Sequence, residues 1–469
     1  MPAGIASPQL RYGSRMFALT RNAARIVPCI AATLVLLAPA IWNRFPLLQY
    51  DTGGYLARSF EGTLVPSRST TYGLFLAAGW PLDFWPIVIL QAAAAVWIIG
   101  VLLKVYRRDL RPAGLLAIVL ILSATTALPW LASELLTDIF AGTAVLALHA
   151  LMWHGSGLAL RQRLGLLIFV AFAASTHSAT YAILLVVSVA GCIVWLLNRR
   201  VVAGAAVAHA AAAMMLGATL LVAGNYIVAK RIAWTPGGYG IAFGRMLQDG
   251  IVARYLDDHC PNPRLQLCPY RRVLPRDADD FLWGGGIFDR LGRFQGLGEE
   301  MRGIVLGSLR EYPLLQLKTA LVATARQLAA VGTGEGIGTD IWHSYAMIER
   351  YTPSALPAMR AARQQRGEMN FAAINAVHEP VAWAAMALVP LLVIIGICSA
   401  EFADIGYLAA TIAIALIANA AFCGVISNPH DRYGSRIVWI AAFATAVAIS
   451  RAWALARQRT GRLAAEVLR

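Results

Sequence analysis

Charge is what this chain has least of. Charged residues make up only 14% of its 469 positions, where soluble domains carry about a quarter. That shortage excludes an ordinary water-soluble fold. Cysteine is also scarce, at six. The ten-residue apolar/polar alternation of membrane barrels is missing. So are a zinc-ligand pattern, a phosphate-binding glycine loop and a nucleophile elbow, which leaves no handle for nucleotide chemistry. We find no internal repeat, and no paired glycine- or proline-broken helices of the kind that mark inverted-repeat transporters.

What fills the space is apolar. Hydrophobic residues reach 58%, with a mean hydropathy of +0.61. Runs of roughly 18 to 25 such residues recur, each long enough to cross a hydrocarbon core of about 30 Å. In lipid the backbone must satisfy itself, so these runs predict helices. The expected fold is an all-α integral membrane protein with about ten spans: 26–41, 84–105, 113–128, one ending near 153, two flanking Ser175 to Ser178, 202–228, 381–398, 405–426 and 437–455.

The formal charge of +15 invites a nucleic-acid partner. Its distribution argues against one, because Arg and Lys fall in short stretches between apolar runs, where they orient helices, and form no compact basic face. Arg11, Arg15, Arg21 and Arg25 precede the first run, and Trp42-Asn43-Arg44-Phe45-Pro46 after it offers no cleavage site, so an uncleaved first helix with a cytoplasmic N-terminus is expected. Lys104, Arg107, Arg108, Arg111, Arg161, Arg163, Arg199, Arg200 and the tail Arg457 to Arg462 mark the same side. Asp51, Glu134, Asp138 and His177 then share the opposite side.

Three regions are expected: a bundle over 1–228 whose first outer loop is 42–83, a polar outer region over 229–379, and the closing helices with a basic cytoplasmic tail over 380–469. Within the middle region, 313–331 is moderately apolar, with Leu314, Leu317, Leu321 and Leu328 on one helical face and Lys318 and Arg326 poorly suited to a bilayer centre. A helix lying at the interface is the expectation. The alternative, an eleventh span, would put the basic tail on the wrong side. Cys29, Cys192, Cys398 and Cys423 sit in apolar runs as small core residues. Cys260 and Cys268 flank a polar loop with no second pair nearby, which favours a disulfide over free thiols and implies an oxidising compartment.

The chemistry-bearing residues cluster on the outer side. Asp51, in Tyr50-Asp51-Thr52-Gly53-Gly54-Tyr55, is either a turn-forming aspartate or a general base whose pKa partial desolvation would raise. Tyr55 lies one helical turn on. Arg68, ahead of an apolar helix starting near Tyr72, either snorkels or forks to a phosphate. Asp138 opens an apolar span, where simple capping is the plain reading, and Glu134 lies one turn before it. His177 reads most simply as structural. Asn428-Pro429-His430-Asp431-Arg432-Tyr433 is a dense polar cluster in which His430 and Arg432 could grip a phosphate, or Asp431 and Arg432 form a loop network.

Together these stretches resemble the GT-C class of polytopic glycosyltransferases, the class of the dolichyl-phosphate-mannose-protein mannosyltransferases. Tyr50-Asp51 is similar to that family's acidic outer-loop site, and Arg68-Ser69-Thr70-Thr71-Tyr72 to its Arg-Pro-Pro-like segment with the prolines replaced. Pro129 to Asp138, Glu311-Tyr312-Pro313 and Arg432-Tyr433 are similar to its later elements. The resemblance implies an inverting glycosyltransferase of the bacterial inner membrane. It would take sugar from a polyprenyl-phosphate donor to a glycan, lipid or protein acceptor on the periplasmic face. Asp51 would be the base, and Tyr55, Arg68, Tyr72, Glu134, Asp138, His177, His430, Arg432 and Tyr433 would bind substrate. The family's paired acidic residues reduce here to Asp51 alone, so a divalent cation, magnesium or manganese, is a candidate cofactor and not an implied one. Two other classes stay open: a transporter or flippase of a lipid-linked or anionic substrate, for which Gln91 and Asn225 are the mid-span polar residues, and a non-catalytic assembly partner.

Overall fold

The computed structural model describes residues 26–64, 67–107, 111–235, 238–339 and 341–467, with side chains to 460. The basic stretch Arg11 to Arg25, together with Pro66, Arg108 and the Arg462 side chain, lies outside the described residues. Among the described residues helices are the only regular elements, with a single isolated bridge between Leu47 and Glu134 in place of any sheet.

The chain is a multi-pass membrane protein. Among the described residues, seven helices are long and apolar enough to cross a bilayer: Trp85–Tyr106, Ile139–Gly157, Ser178–Leu197, Gly204–Ala229, Ala372–Cys398, Ala400–Ile426 and Asp431–Thr460. Three further expected spans are helices too, but shorter or less apolar: Ile26–Leu36, Pro112–Thr125 and Leu160–Thr176. The last helix, Asp431–Val467, is much longer than the 437–455 expected from hydropathy. Its apolar middle is all that hydropathy registers, while arginines and alanines, both good helix formers, carry it on past the apolar stretch.

Small residues let these helices approach closely, as membrane packing requires. Gly396 and Gly406 face each other so tightly that a Cβ built on either would lie under 3 Å from the other's Cα. Leu36, Leu102, Leu148, Val170, Ile412 and Trp439 belong to the one large buried apolar cluster that the spans enclose.

The polar middle divides in two by what its apolar residues bury against. The first part has a small core of its own, with Phe243, Leu256, Phe281, Phe288 and Ile304, and Cys260 and Cys268 are disulfide-bonded at its edge. In the second, Ile341, Ile348, Met359 and Ala362 join the main cluster. Between them runs the helix Pro313–Ala329, which is not among the seven. Its Leu314, Leu317 and Leu321 stay exposed, while Ala323 and Gln327 turn inward. The contacts of that inward face fall on Gly424, near the C-terminal end of the Ala403–Ile426 helix, and on His430 just beyond it.

That second part holds the Asp51 loop in place. Gln364 brackets Leu48, accepting from its N–H at 3.0 Å and donating to its carbonyl at 2.7 Å. The Ser344 hydroxyl donates to the Gln49 carbonyl at 2.8 Å and accepts from the Gly53 N–H at 2.9 Å. Leu47 pairs with the chain on both sides of Glu134, through Ser133 and Leu135 at 2.9 Å each. Gly53 sits so close to this support that a Cβ there would lie 2.7 Å from the Ser344 backbone nitrogen. Backbone cannot swing aside as a side chain can. Gly53→Ala is therefore expected to destabilise the protein by about 1–3 kcal/mol, read as a lowered thermal midpoint in detergent; an unchanged midpoint would show that the loop is not clamped.

Candidate functional site

Asp51 stands just ahead of the helix Thr52–Glu61, at the centre of a mostly buried ionic cluster. Arg68 pairs with one of its carboxylate oxygens and Arg432 with the other, the latter at 2.9 Å. Arg432 also reaches Asp138 through Nε at 3.1 Å, and Arg436 approaches the second oxygen of Asp138 at 3.6 Å. Asp138 is 1% exposed and Arg436 fully buried. Three elements distant in sequence thus meet at one point: the segment from Asp51 to Arg68, the start of the Ile139–His154 helix and the first two turns of the last helix.

The aromatic residues support this cluster. The Arg68 guanidinium lies over the Tyr55 ring at 5.8 Å, and the Tyr55 hydroxyl meets Thr137 at 3.3 Å. Tyr72 does not reach the ions. It packs edge-on against Tyr55 and donates to Gln91 at 3.0 Å, so it positions Tyr55. Tyr433 lies beneath both Arg432 and Arg436, at 5.1 and 5.5 Å.

Several expectations change. Desolvation does not raise the Asp51 pKa. Burial does push it up, but Arg68 and Arg432 outweigh burial and hold the carboxyl at about 2. With both oxygens engaged and the charge held so firmly, Asp51 is a poor proton acceptor. Asp138 does not cap its helix, since its side chain makes no capping hydrogen bond and faces the arginines instead. Asp431 is not paired with Arg432; it accepts from the Gly332 N–H at 3.0 Å. His177 has the structural role, capping the Ser178–Leu197 helix by accepting from the Ala179 N–H at 3.3 Å. Burial, then the field of Arg436, Arg432 and Arg68, pushes its pKa well below the ordinary imidazole value, so it is neutral beside the cluster. Asn225 is not a lone mid-span polar group. It accepts from the buried Arg58 at 3.0 Å and donates to the Ala233 and Trp234 carbonyls.

His430 lies beside the cluster and does not grip its ions. Its Nδ1 meets Glu335 at 2.7 Å and its Nε2 meets Asp279 at 3.3 Å, while Glu335 also accepts from the Arg432 N–H at 2.7 Å. Burial works against the imidazolium, but the two carboxylates prevail and raise its pKa to about 9. The folded value exceeds the unfolded one of about 6.5. The stabilisation is therefore complete below about pH 6.5 and lost as pH rises through about 9, amounting to about 3 kcal/mol at most because Glu335 and Asp279 are partly solvated. The thermal midpoint of the native chain should exceed that of His430→Gln at pH 7, with the gap closing by about pH 10. A constant gap would sink the bridge.

Sequence reasoning missed Arg436, Glu335 and Asp279. Arg436 had one visible signal: it follows Arg432 by four residues, one helical turn, at the mouth of an apolar span. It donates to Asn419 through Nε at 3.0 Å and Nη2 at 2.8 Å, which leaves Nη1 for Asp138. Glu335 and Asp279 sit in polar stretches where nothing sets them apart.

The residues do not fit a divalent cation. Among the described residues no group of three or more His, Cys, Asp and Glu side chains is placed to hold a metal, and the Asp51 oxygens are committed to arginines. No protein-family model matches the chain, and neither a curated protein nor a solved structure matches it.

The arrangement lends itself to anion binding. Three guanidiniums, those of Arg68, Arg432 and Arg436, are paired with only two carboxylates, those of Asp51 and Asp138. Arg432 Nε, Arg436 Nη1 and both Asp138 oxygens are buried without a well-aligned hydrogen bond, although ion-paired. Such a surplus of buried positive charge is costly unless an anion offsets it.

Proposed function

We propose that the chain is a membrane glycosyltransferase taking sugar from a polyprenyl-phosphate donor, and that the arginine cluster receives the donor's phosphate. The observation that carries this reading is the excess of guanidiniums over carboxylates in a buried site at one end of the bundle. Arginine's planar fork suits a phosphate's oxygens. Phosphate entering between Arg68 and Arg432 would take over the donors that Asp51 now occupies. As the bond from the anomeric carbon to the phosphate oxygen breaks, the same guanidiniums would stabilise the charge developing on the leaving group. The GT-C resemblance of the motif residues points the same way. In this reading the shorter helices complete a ten-helix bundle in the bacterial inner membrane, with both termini cytoplasmic, the site periplasmic and the Pro313–Ala329 helix at the interface.

The test is transfer of radiolabelled sugar in membranes enriched in the protein, offered a panel of polyprenyl-phosphate sugars. Label should move to an acceptor and free polyprenyl phosphate should accumulate. A flippase would use the same arginines but leave the sugar–phosphate bond intact, so movement of intact donor between leaflets would replace the enzyme reading. An assembly partner would do neither.

A further inference from the structure

The three acidic side chains of the site do not share one environment. Asp51 and Asp138 are each paired with arginine. Glu134 carries no ion pair among the described residues, though its residue is only 5% exposed. Its backbone is fixed from three directions: its carbonyl accepts from Gln91 Nε2 at 2.8 Å, and the residues on either side of it bond to Leu47. The charged and titratable groups whose fields reach its carboxyl are Asp138 at the start of the next helix, Arg432 on the last helix and Tyr72 on the Thr70–Ala77 helix.

We infer that Glu134, and not Asp51, is the general base of this site. This rests on the glycosyltransferase reading above. In the step, the Glu134 carboxylate takes the proton of the acceptor hydroxyl while that oxygen forms a bond to the anomeric carbon. The bond from that carbon to the donor phosphate oxygen breaks, and its electron pair leaves with the phosphate, whose charge Arg68 and Arg432 hold. Glu134 then returns its proton to water.

The chemistry favours this division. A base has to exchange a proton near working pH, and carboxyl groups whose environments separate their pKa values take separate roles. Burial, then the charge of Asp138, pushes the Glu134 carboxyl up to about 8 against the pull of Arg432, while two arginines hold Asp51 at about 2. At pH 7 about a tenth of Glu134 is ionised and ready to accept. A second anion at the phosphate position would raise that pKa further, so donor binding and the Glu134 proton are coupled.

The experiment uses the full chain in lipid nanodiscs, native against Glu134→Gln, with farnesyl phosphate as the binding probe and the sugar panel as donors. Infrared spectra taken from about pH 6 to 10 should show a protonated carboxyl in the native chain titrating near 8 and missing from Glu134→Gln. Transfer by the native chain should rise through the same range. It should fall about a hundredfold in Glu134→Gln with farnesyl phosphate binding unchanged, and recover in part in Glu134→Asp. A merely structural glutamate would alter the thermal midpoint and leave the pH profile in place. Identical spectra for the two proteins, or native-like transfer by Glu134→Gln, overturn the assignment while the glycosyltransferase reading stands. Absence of transfer by the native chain from every donor, with farnesyl phosphate bound, overturns that reading and this role with it.

Discussion

Arg432→Ala should reduce binding of a polyprenyl phosphate, and any sugar transfer from it, by at least about a hundredfold. Arg432 is the one side chain that pairs with both Asp51 and Asp138, so it stands where the two halves of the site meet. Its loss leaves Arg68 on Asp51 and Arg436 near Asp138, and the cluster changes from three cations against two anions to two against two. The driving force for drawing in another anion disappears with the surplus. Each hydrogen bond to a charged group is worth about 1.5–3 kcal/mol, and a forked pair to phosphate supplies two. Folding should persist, because each carboxylate keeps one cation. Arg432→Lys separates charge from geometry: an ammonium restores the charge count but cannot fork, so it should recover thermal stability while regaining only part of the binding. Transfer within a few-fold of native by Arg432→Ala would remove the cluster from the chemistry.

Much of this site is legible in the amino-acid sequence, for a physical reason. In a chain so poor in charge, an ionisable residue beside an apolar run is costly and demands an explanation. Asp51, Arg68, Asp138 and Arg432 stand out on that ground, and the basic flanks place the first three motifs on one side. Which ion meets which is another matter. Asp51 and Arg432 are brought together by packing between the first and last parts of the chain, and no local spacing encodes that. The same limit explains why expectation and geometry part at Asp138 and Asp51. A carboxylate at a helix start is locally a cap, and only the approach of Arg432 and Arg436 turns it aside. A carboxylate in an apolar setting is locally a raised pKa, and only the count of arginines around it reverses the sign. Glu134 meets few cations, and burial keeps its value raised. The polar middle region is harder still. Its composition resembles that of any soluble loop, so neither the small core around Phe281 nor the Gln364 and Ser344 contacts that hold the Asp51 loop leave a trace in the sequence.

The second large effect concerns stability. Asp138→Ala should destabilise the fold by about 3–5 kcal/mol, the usual cost of removing one partner from a buried ion pair. Asp138 and Arg436 are almost wholly enclosed. Without the carboxylate, Arg432 and Arg436 would face each other across a void that water reaches poorly, and both would stay charged, because a guanidinium does not deprotonate in proteins. Asp138→Asn should fare only slightly better, since it keeps the volume but not the charge. The decisive comparison is a paired replacement. Exchanging a buried ion pair for apolar groups of similar size is often neutral, so Asp138→Leu with Arg436→Met should melt closer to the native chain than Asp138→Leu alone. Arg436 complicates the exchange through its bonds to Asn419, which the double variant leaves unmet, and recovery should therefore be partial. If the two variants melt together well below the native protein, the cost lies in the lost shape and not in stranded charge. Buried charge would then not be what organises this end of the bundle, and the case for an anion site would lose its physical basis.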